Sequence, residues 1–237
     1  MECEKGESMV TKLASQYLDE VPEVDVAVVL PHPGDAEVYC GGAIAKLSAA
    51  GLRVGVLDLT AGEAGTYTRL EVKLEEAEAA GKVLGVKWRA CVRLPDGRVE
   101  DTMMSRMTVT GELKRLRAKT LVAMHWEHRH PDSMASSRLV ENSAFLAGLK
   151  RLDDYLESHR TERIVFAGVS ERPSFVVDVT EAFEKKLEAL RCYTTLFGDR
   201  EAEVERIVAE SRRLGALIGA KYGEAFVQRD PLRGELV

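Results

Sequence analysis

The chain contains no Cys-x-x-Cys pair: its four cysteines, Cys3, Cys40, Cys91 and Cys192, are scattered at wide spacings. That pattern excludes a disulfide framework and a cysteine zinc finger, and it suits a reduced cytoplasm. No uninterrupted apolar stretch approaches the roughly 18 to 20 residues that a membrane-spanning helix requires. The first residues, Met1-Glu2-Cys3-Glu4-Lys5-Gly6-Glu7, are acidic and lack an apolar core, so no secretory leader is expected. Basic clusters longer than a pair or so are missing as well. With 33 basic against 39 acidic side chains and a formal charge of −6, the chain is a poor candidate for nucleic-acid binding.

What is present is an ordinary globular composition, 45% hydrophobic over 237 residues, which suits one α/β domain. Residues 1–24 are polar and read as an arm before a domain spanning 25–237. Asp25 to Leu30 is a short β-branched run typical of a strand buried on both faces. Pro31-His32-Pro33-Gly34-Asp35 breaks it, and a helix is expected from Gly41 to near Gly51. Further strands are expected at 53–59, 88–94, 120–124, 163–168 and 175–177. Helices are expected at 69–84, 105–117, 134–149, 180–191 and 201–221. Such alternation predicts a mostly parallel sheet with helices on both faces. Right-handed crossovers then bring the loops after Leu30, Leu59, Arg93 and Met124 to one cleft at the carboxyl ends of the strands.

Histidine carries the first sign of chemistry. Of five histidines, His125, His128 and His130 fall within six residues after the strand at 120–124, and His32 follows the first strand. In His32-Pro33-Gly34-Asp35, an imidazole and a carboxylate three residues apart in a tight turn can face one ion. The same spacing equally suits a strand-to-helix turn with Asp35 as a cap. No Gly-x-Gly-x-x-Gly follows the first strand, which weakens a dinucleotide site. In His125-Trp126-Glu127-His128-Arg129-His130-Pro131-Asp132-Ser133, imidazoles stand beside carboxylates that can orient them for metal or proton work. A solvated polar loop would read similarly.

At these residues the chain resembles the LmbE/PIG-L family of zinc-dependent N-deacetylases, and most of all the bacillithiol-biosynthesis type. The resemblance runs from about Asp25 through Pro31-His32-Pro33, Asp35-Ala36-Glu37, Cys40-Gly41-Gly42, Leu59-Thr60, Gly62-Glu63 and Gly65-Thr66. It continues through Leu94-Pro95-Asp96-Gly97, Arg129-His130-Pro131-Asp132, Phe145-Leu146-Ala147-Gly148, Phe175-Val176-Val177-Asp178 and Tyr222-Gly223-Glu224. It implies a Rossmann-like single domain, a zinc cofactor and removal of an acetyl group from an N-acetylglucosamine unit, often on a thiol-precursor glycoside. It also implies a homo-oligomer, while the cysteine usage suits the cytoplasm and the composition argues against a membrane or nucleic-acid partner.

Carried over residue by residue, the resemblance makes His32 and Asp35 metal ligands, and His130 with Asp132 an acid and its orienting partner. Two positions depart. The general base, usually Asp, is Gly34, and the third zinc ligand, usually His, is Ser133. A catalytic zinc needs three protein ligands and an open position, and a positioned base usually contributes roughly 10²- to 10⁴-fold. Ordinary family catalysis is therefore expected to be lost, leaving a pseudoenzyme. Refilling both positions, Gly34→Asp with Ser133→His, is expected to restore zinc binding. The competing expectation is an active hydrolase with a rearranged metal site using His128 or His130, and with Glu37 or Glu63 as base. A structural subunit assembling with an active relative is a third possibility.

Overall fold

The computed structural model describes residues 21–65, 70–152, 156–169 and 171–230. Residues 1–20 of the expected arm, and Thr66 of the Gly65-Thr66 motif, lie outside them. Seven strands form one sheet: β1 (Val26–Leu30), β2 (Val54–Asp58), β3 (Trp88–Cys91), β4 (Thr120–Met124), β5 (Arg163–Ala167), β6 (Phe175–Asp178) and β7 (Gly223–Val227). Their order is β3-β2-β1-β4-β5-β7-β6. The first five are parallel to one another, and β7 runs antiparallel to both β5 and β6. The helices are α1 (Asp35–Ala49), α2 (Leu70–Leu84), α3 (Met103–Leu116), α4 (Pro131–Ala147), α5 (Phe183–Arg191), α6 (Thr194–Phe197) and α7 (Glu201–Ala216). No helix among the described residues is long and apolar enough to cross a membrane.

Strand β1 explains why the sheet takes helices on both sides. Successive side chains point to opposite faces. Val26, Val28 and Leu30 join a cluster with Ile44, Val56, Leu84 and Phe183 on one face. Ala27 and Val29 join Leu57, Val109, Leu113, Leu121 and Leu139 on the other. All five residues of β1 are buried, so a continuous apolar run is what this position in the sheet demands. Each fully buried aliphatic side chain stabilises the fold by roughly 1.5–3 kcal/mol relative to exposure.

Two features correct the sequence reading. Helix α1 begins at Asp35 rather than near Gly41, and it is kinked at Cys40 (φ −145°, ψ 19°). The amides freed by the kink are capped from a distance: Gly42 N and Ala43 N donate to the two oxygens of Glu224 at 2.9 and 2.7 Å. Lys186 Nζ neutralises that buried carboxylate at 2.7 Å. Glu224 lies on β7, the strand absent from the sequence reading, so β7 both completes the sheet and fixes the first helix.

The chain runs outward from β1 to β2 and β3 on one side, and through β4 and β5 on the other. The strand order therefore reverses between β1 and β4. In open α/β sheets the crevice beyond the carboxyl ends of the strands at such a point is where ligands bind.

Candidate functional site

The loops after β1 and β4 bring His32 and the segment His128–Asp132 to that crevice. His130 is the N-cap of α4: its Nδ1 accepts from Asp132 N at 3.3 Å, and Pro131 fills the first turn, where no amide donor is needed. Asp132 is buried and its carboxylate is saturated with donors. Gly97 N donates to Oδ2 at 2.7 Å and Val99 N to Oδ1 at 3.1 Å. Burial works against its charge, but those two amides and His32 hold Asp132 below the usual carboxylate range.

His32 is the hub. Its Nδ1 lies 3.1 Å from Asp35 Oδ2, and its Nε2 lies 3.1 Å from both Asp132 Oδ2 and Asp96 Oδ1. Burial alone would lower its pKa. The hydrogen bond and charge of Asp35, the hydrogen bond of Asp132 and the charge of Asp96 outweigh it and raise the value to about 9. The His130 ring meets the His32 ring edge-on, with centroids 4.8 Å apart. Asp96 is a motif residue to which the sequence attaches no role. Its main-chain N donates to Glu63 Oε1 at 2.8 Å, and its Oδ2 accepts from Ala64 N at 2.9 Å, which ties the loops after β2 and β3 together. The signal that could have found it is its place in a Pro-Asp-Gly turn at the same edge of the sheet.

The other two histidines of the loop point elsewhere: buried His125 accepts from Glu127 N through Nδ1 at 3.1 Å. His128 Nδ1 accepts from His130 N at 3.2 Å, and its Nε2 lies 3.1 Å from Tyr39 Oη. Glu37 is fully buried and bonds Arg89 Nη1 at 2.5 Å and Tyr193 Oη at 3.1 Å, in a network that also holds Asp58. These contacts anchor the start of α1 on the sheet and leave Glu37 no role as a base.

Gly34 adopts φ +102°, in the region that side-chain-bearing residues rarely visit. A Cβ there would stand 3.0 Å from Leu196 Cδ1. Leu196 is delivered by the short helix α6, whose Thr194 Oγ1 and Thr195 N bond the Glu76 carboxylate of α2 at 2.7 and 3.0 Å. Ser133 is 2% exposed, packed into the first turn of α4.

The zinc set implied by the resemblance does not fit this geometry. Asp35 Oδ2 is turned back onto its own loop, accepting from His32 N at 3.0 Å as well as facing Nδ1. The third position offers only the neutral hydroxyl of Ser133, a poor zinc donor near neutral pH. His32, His130 and Asp132 do place ligand atoms within 4.8 Å of one another. Recruiting His130 through its outer nitrogen would require moving a proton onto Nδ1 and losing the cap of α4.

Known proteins share this arrangement of strands, helices and loops. The family model PIG-L, GlcNAc-PI de-N-acetylase, matches residues 27–144, from β1 into α4. The conserved protein TT1542 from Thermus thermophilus is 34% identical, with a TM-score of 0.85 over 90% of this chain and 97% of that one. The chain belongs to the PIG-L family. Within the family, a diacetylchitobiose deacetylase of Thermococcus kodakarensis is 28% identical over 226 residues, 86% of this chain and 84% of that protein. The N,N'-diacetylchitobiose deacetylase of Pyrococcus horikoshii, solved with an inhibitor, shares the fold. Its TM-score is 0.80 at 24% identity over 94% of each chain.

Proposed function

We propose that this chain is a catalytically degenerate PIG-L protein, one that keeps a cleft for an N-acetylglucosamine-type ligand but does not hydrolyse its amide. The observation that carries the reading is the backbone of Gly34, left-handed at φ +102° with Leu196 Cδ1 3.0 Å from where a Cβ would sit. The base position lacks a carboxylate, and any side chain there would be strained by the backbone and would have to push the end of Leu196 aside by a few tenths of an ångström. Loss of a positioned base alone costs roughly 10²- to 10⁴-fold. Ser133, buried at the third-ligand position, acts in the same direction.

The acid and orienting pair persists. Asp132 orders the two polar loops, and His130 presents an imidazole beside His32. These groups hold and orient a polar ligand; they do not activate water. Similarity to a diacetylchitobiose deacetylase supports an amino-sugar ligand, and a thiol-precursor glycoside of the bacillithiol type belongs to the same class. The cytoplasm is the compartment this reading assigns. Self-association through α4 is part of it too, since Met134 and Phe145 are 45% and 70% exposed on that helix. Size-exclusion chromatography with light scattering measures this: an oligomer supports the assembly and a monomer removes it.

One specific observation favours a working hydrolase with a rearranged metal site instead: His32, His130 and Asp132 place ligand atoms within 4.8 Å of one another. A single experiment separates the readings. Saturation-transfer NMR on the full chain with N,N'-diacetylchitobiose reads binding, while the same sample reads free acetate. Transfer to the sugar with no acetate signal is expected. Accumulating acetate, or absence of transfer, would contradict the proposal.

A further inference from the structure

In the first turns of α1, Asp35 and Tyr39 stand four residues apart and share one face of the helix. The half-buried ring of Tyr39 reaches the loops that follow β4 and β5. It meets the His128 ring edge-on, with centroids 5.9 Å apart. It also borders Gly168, where a Cβ would lie 3.5 Å from Tyr39 Cδ1 and where a φ of +81° favours glycine. The Asp35 carboxylate and the Arg129 guanidinium are both near enough to act on the phenol. Tyr39 is therefore a wall of the crevice, set where the loops after β1, β4 and β5 meet.

The hydrogen-bond pattern leaves one hydrogen of this wall uncommitted. His128 Nδ1 accepts from His130 N at 3.2 Å, so that nitrogen carries no hydrogen of its own. The single hydrogen of the imidazole is then on Nε2. Nε2–H donates to Tyr39 Oη at 3.1 Å. The phenol is the acceptor in that bond, and its own O–H meets no acceptor among the described residues. Asp35 supplies the complement, since Oδ2 takes His32 N while Oδ1 has no partner among the described residues. One face of α1 thus offers a donor and an acceptor to whatever occupies the crevice.

We propose that the Tyr39 hydroxyl donates to an oxygen of the bound amino sugar, which makes Tyr39 a ligand-contacting residue of this cleft. The inference rests on the reading of the cleft as an amino-sugar site and names one of its contacts. An uncharged donor suits an uncharged oxygen, a ring hydroxyl or the carbonyl of an acetamido group. His128, fixed by the main chain of His130, sets the phenol in place and turns its hydrogen away from the imidazole.

The test compares the full chain with its Tyr39→Phe variant, which keeps the ring and removes the donor. Both are titrated by NMR with N,N'-diacetylchitobiose and with the same disaccharide bearing free amines. The variant's Kd for the acetylated sugar should rise about 2- to 10-fold, the share of one hydrogen bond. A rise for both sugars assigns a ring hydroxyl as the partner. A rise for the acetylated sugar alone, or a parent that binds it alone, assigns the carbonyl. ¹⁵N NMR of the His128 ring in the parent is a readout that no ligand enters: a hydrogen on Nε2 and none on Nδ1 is expected. Circular dichroism verifies that the variant folds, and if it does not, the His128 tautomer decides. A parent that binds neither sugar removes the amino-sugar reading and this contact with it. Binding by the parent with an unchanged Kd in Tyr39→Phe, or a hydrogen on His128 Nδ1, overturns the contact alone.

Discussion

His32 and Asp132, 100 residues apart in the chain, meet at 3.1 Å between His32 Nε2 and Asp132 Oδ2. The contact joins the loops after β1 and β4, the two neighbouring strands between which the sheet order reverses. Because Asp132 also takes the amides of Gly97 and Val99, one buried carboxylate orders three loops of the crevice.

Asp132→Asn preserves the shape but replaces one acceptor oxygen by a donor. At least one of Gly97 N, Val99 N and His32 then faces an NH₂ group with no acceptor. A buried donor left unsatisfied costs about 1–3 kcal/mol. The urea midpoint should fall accordingly with the slope unchanged, since the surface exposed on unfolding stays the same.

Gly34→Asp should destabilise the chain. Forcing a side chain into that backbone conformation costs about 1–3 kcal/mol, which for a domain of this size is roughly 2–4 °C of Tm per kcal/mol. Gly111→Ala is the internal contrast, because Gly111 lies within helix α3 with nothing near a prospective Cβ. It should be neutral or stabilising by up to about 1 kcal/mol. The paired variant Gly34→Asp with Ser133→His, which the sequence suggests as a zinc rescue, should accordingly melt below the parent in differential scanning calorimetry.

Acid should loosen the packing of α3 on α4 through Asp101. Arg106 reaches its two oxygens at 2.6 and 2.7 Å, and Asn142 Nδ2 donates at 2.6 Å. The Arg106 hydrogen bonds, chiefly, hold this carboxyl below the usual carboxylate range. A depressed folded-state value means that the stabilisation is present above the unfolded value and is lost as pH falls through the folded one. Asp101→Asn should therefore flatten the fall in urea midpoint at pH below about 4 relative to the parent.

Much of this was legible in the residues. The run Val26–Leu30 and the strand at 120–124 stood out because strands covered on both faces need no alternation, and their following loops carry nearly all the histidines. The family motifs brought His32, Asp35, His130 and Asp132 together ahead of any tertiary contact. Strand β7 escaped notice because Glu224 interrupts it, and a carboxylate inside a strand makes sense only once Gly42, Ala43 and Lys186 are seen to surround it. The part played by Asp96 depends on the approach of the loop after β3 to His32, a long-range contact that local pattern does not encode. The conformation of Gly34 was hidden for a related reason. Glycine at a motif position reads as a missing carboxylate, whereas its left-handed backbone and the approach of Leu196 from α6 are tertiary facts.

The most direct test of lost catalysis is a single-turnover experiment, with chain and N,N'-diacetylchitobiose at equal concentration and zinc added. Acetate no greater than that in the chain-free control is the predicted result. Release of one equivalent of acetate per chain would contradict the account.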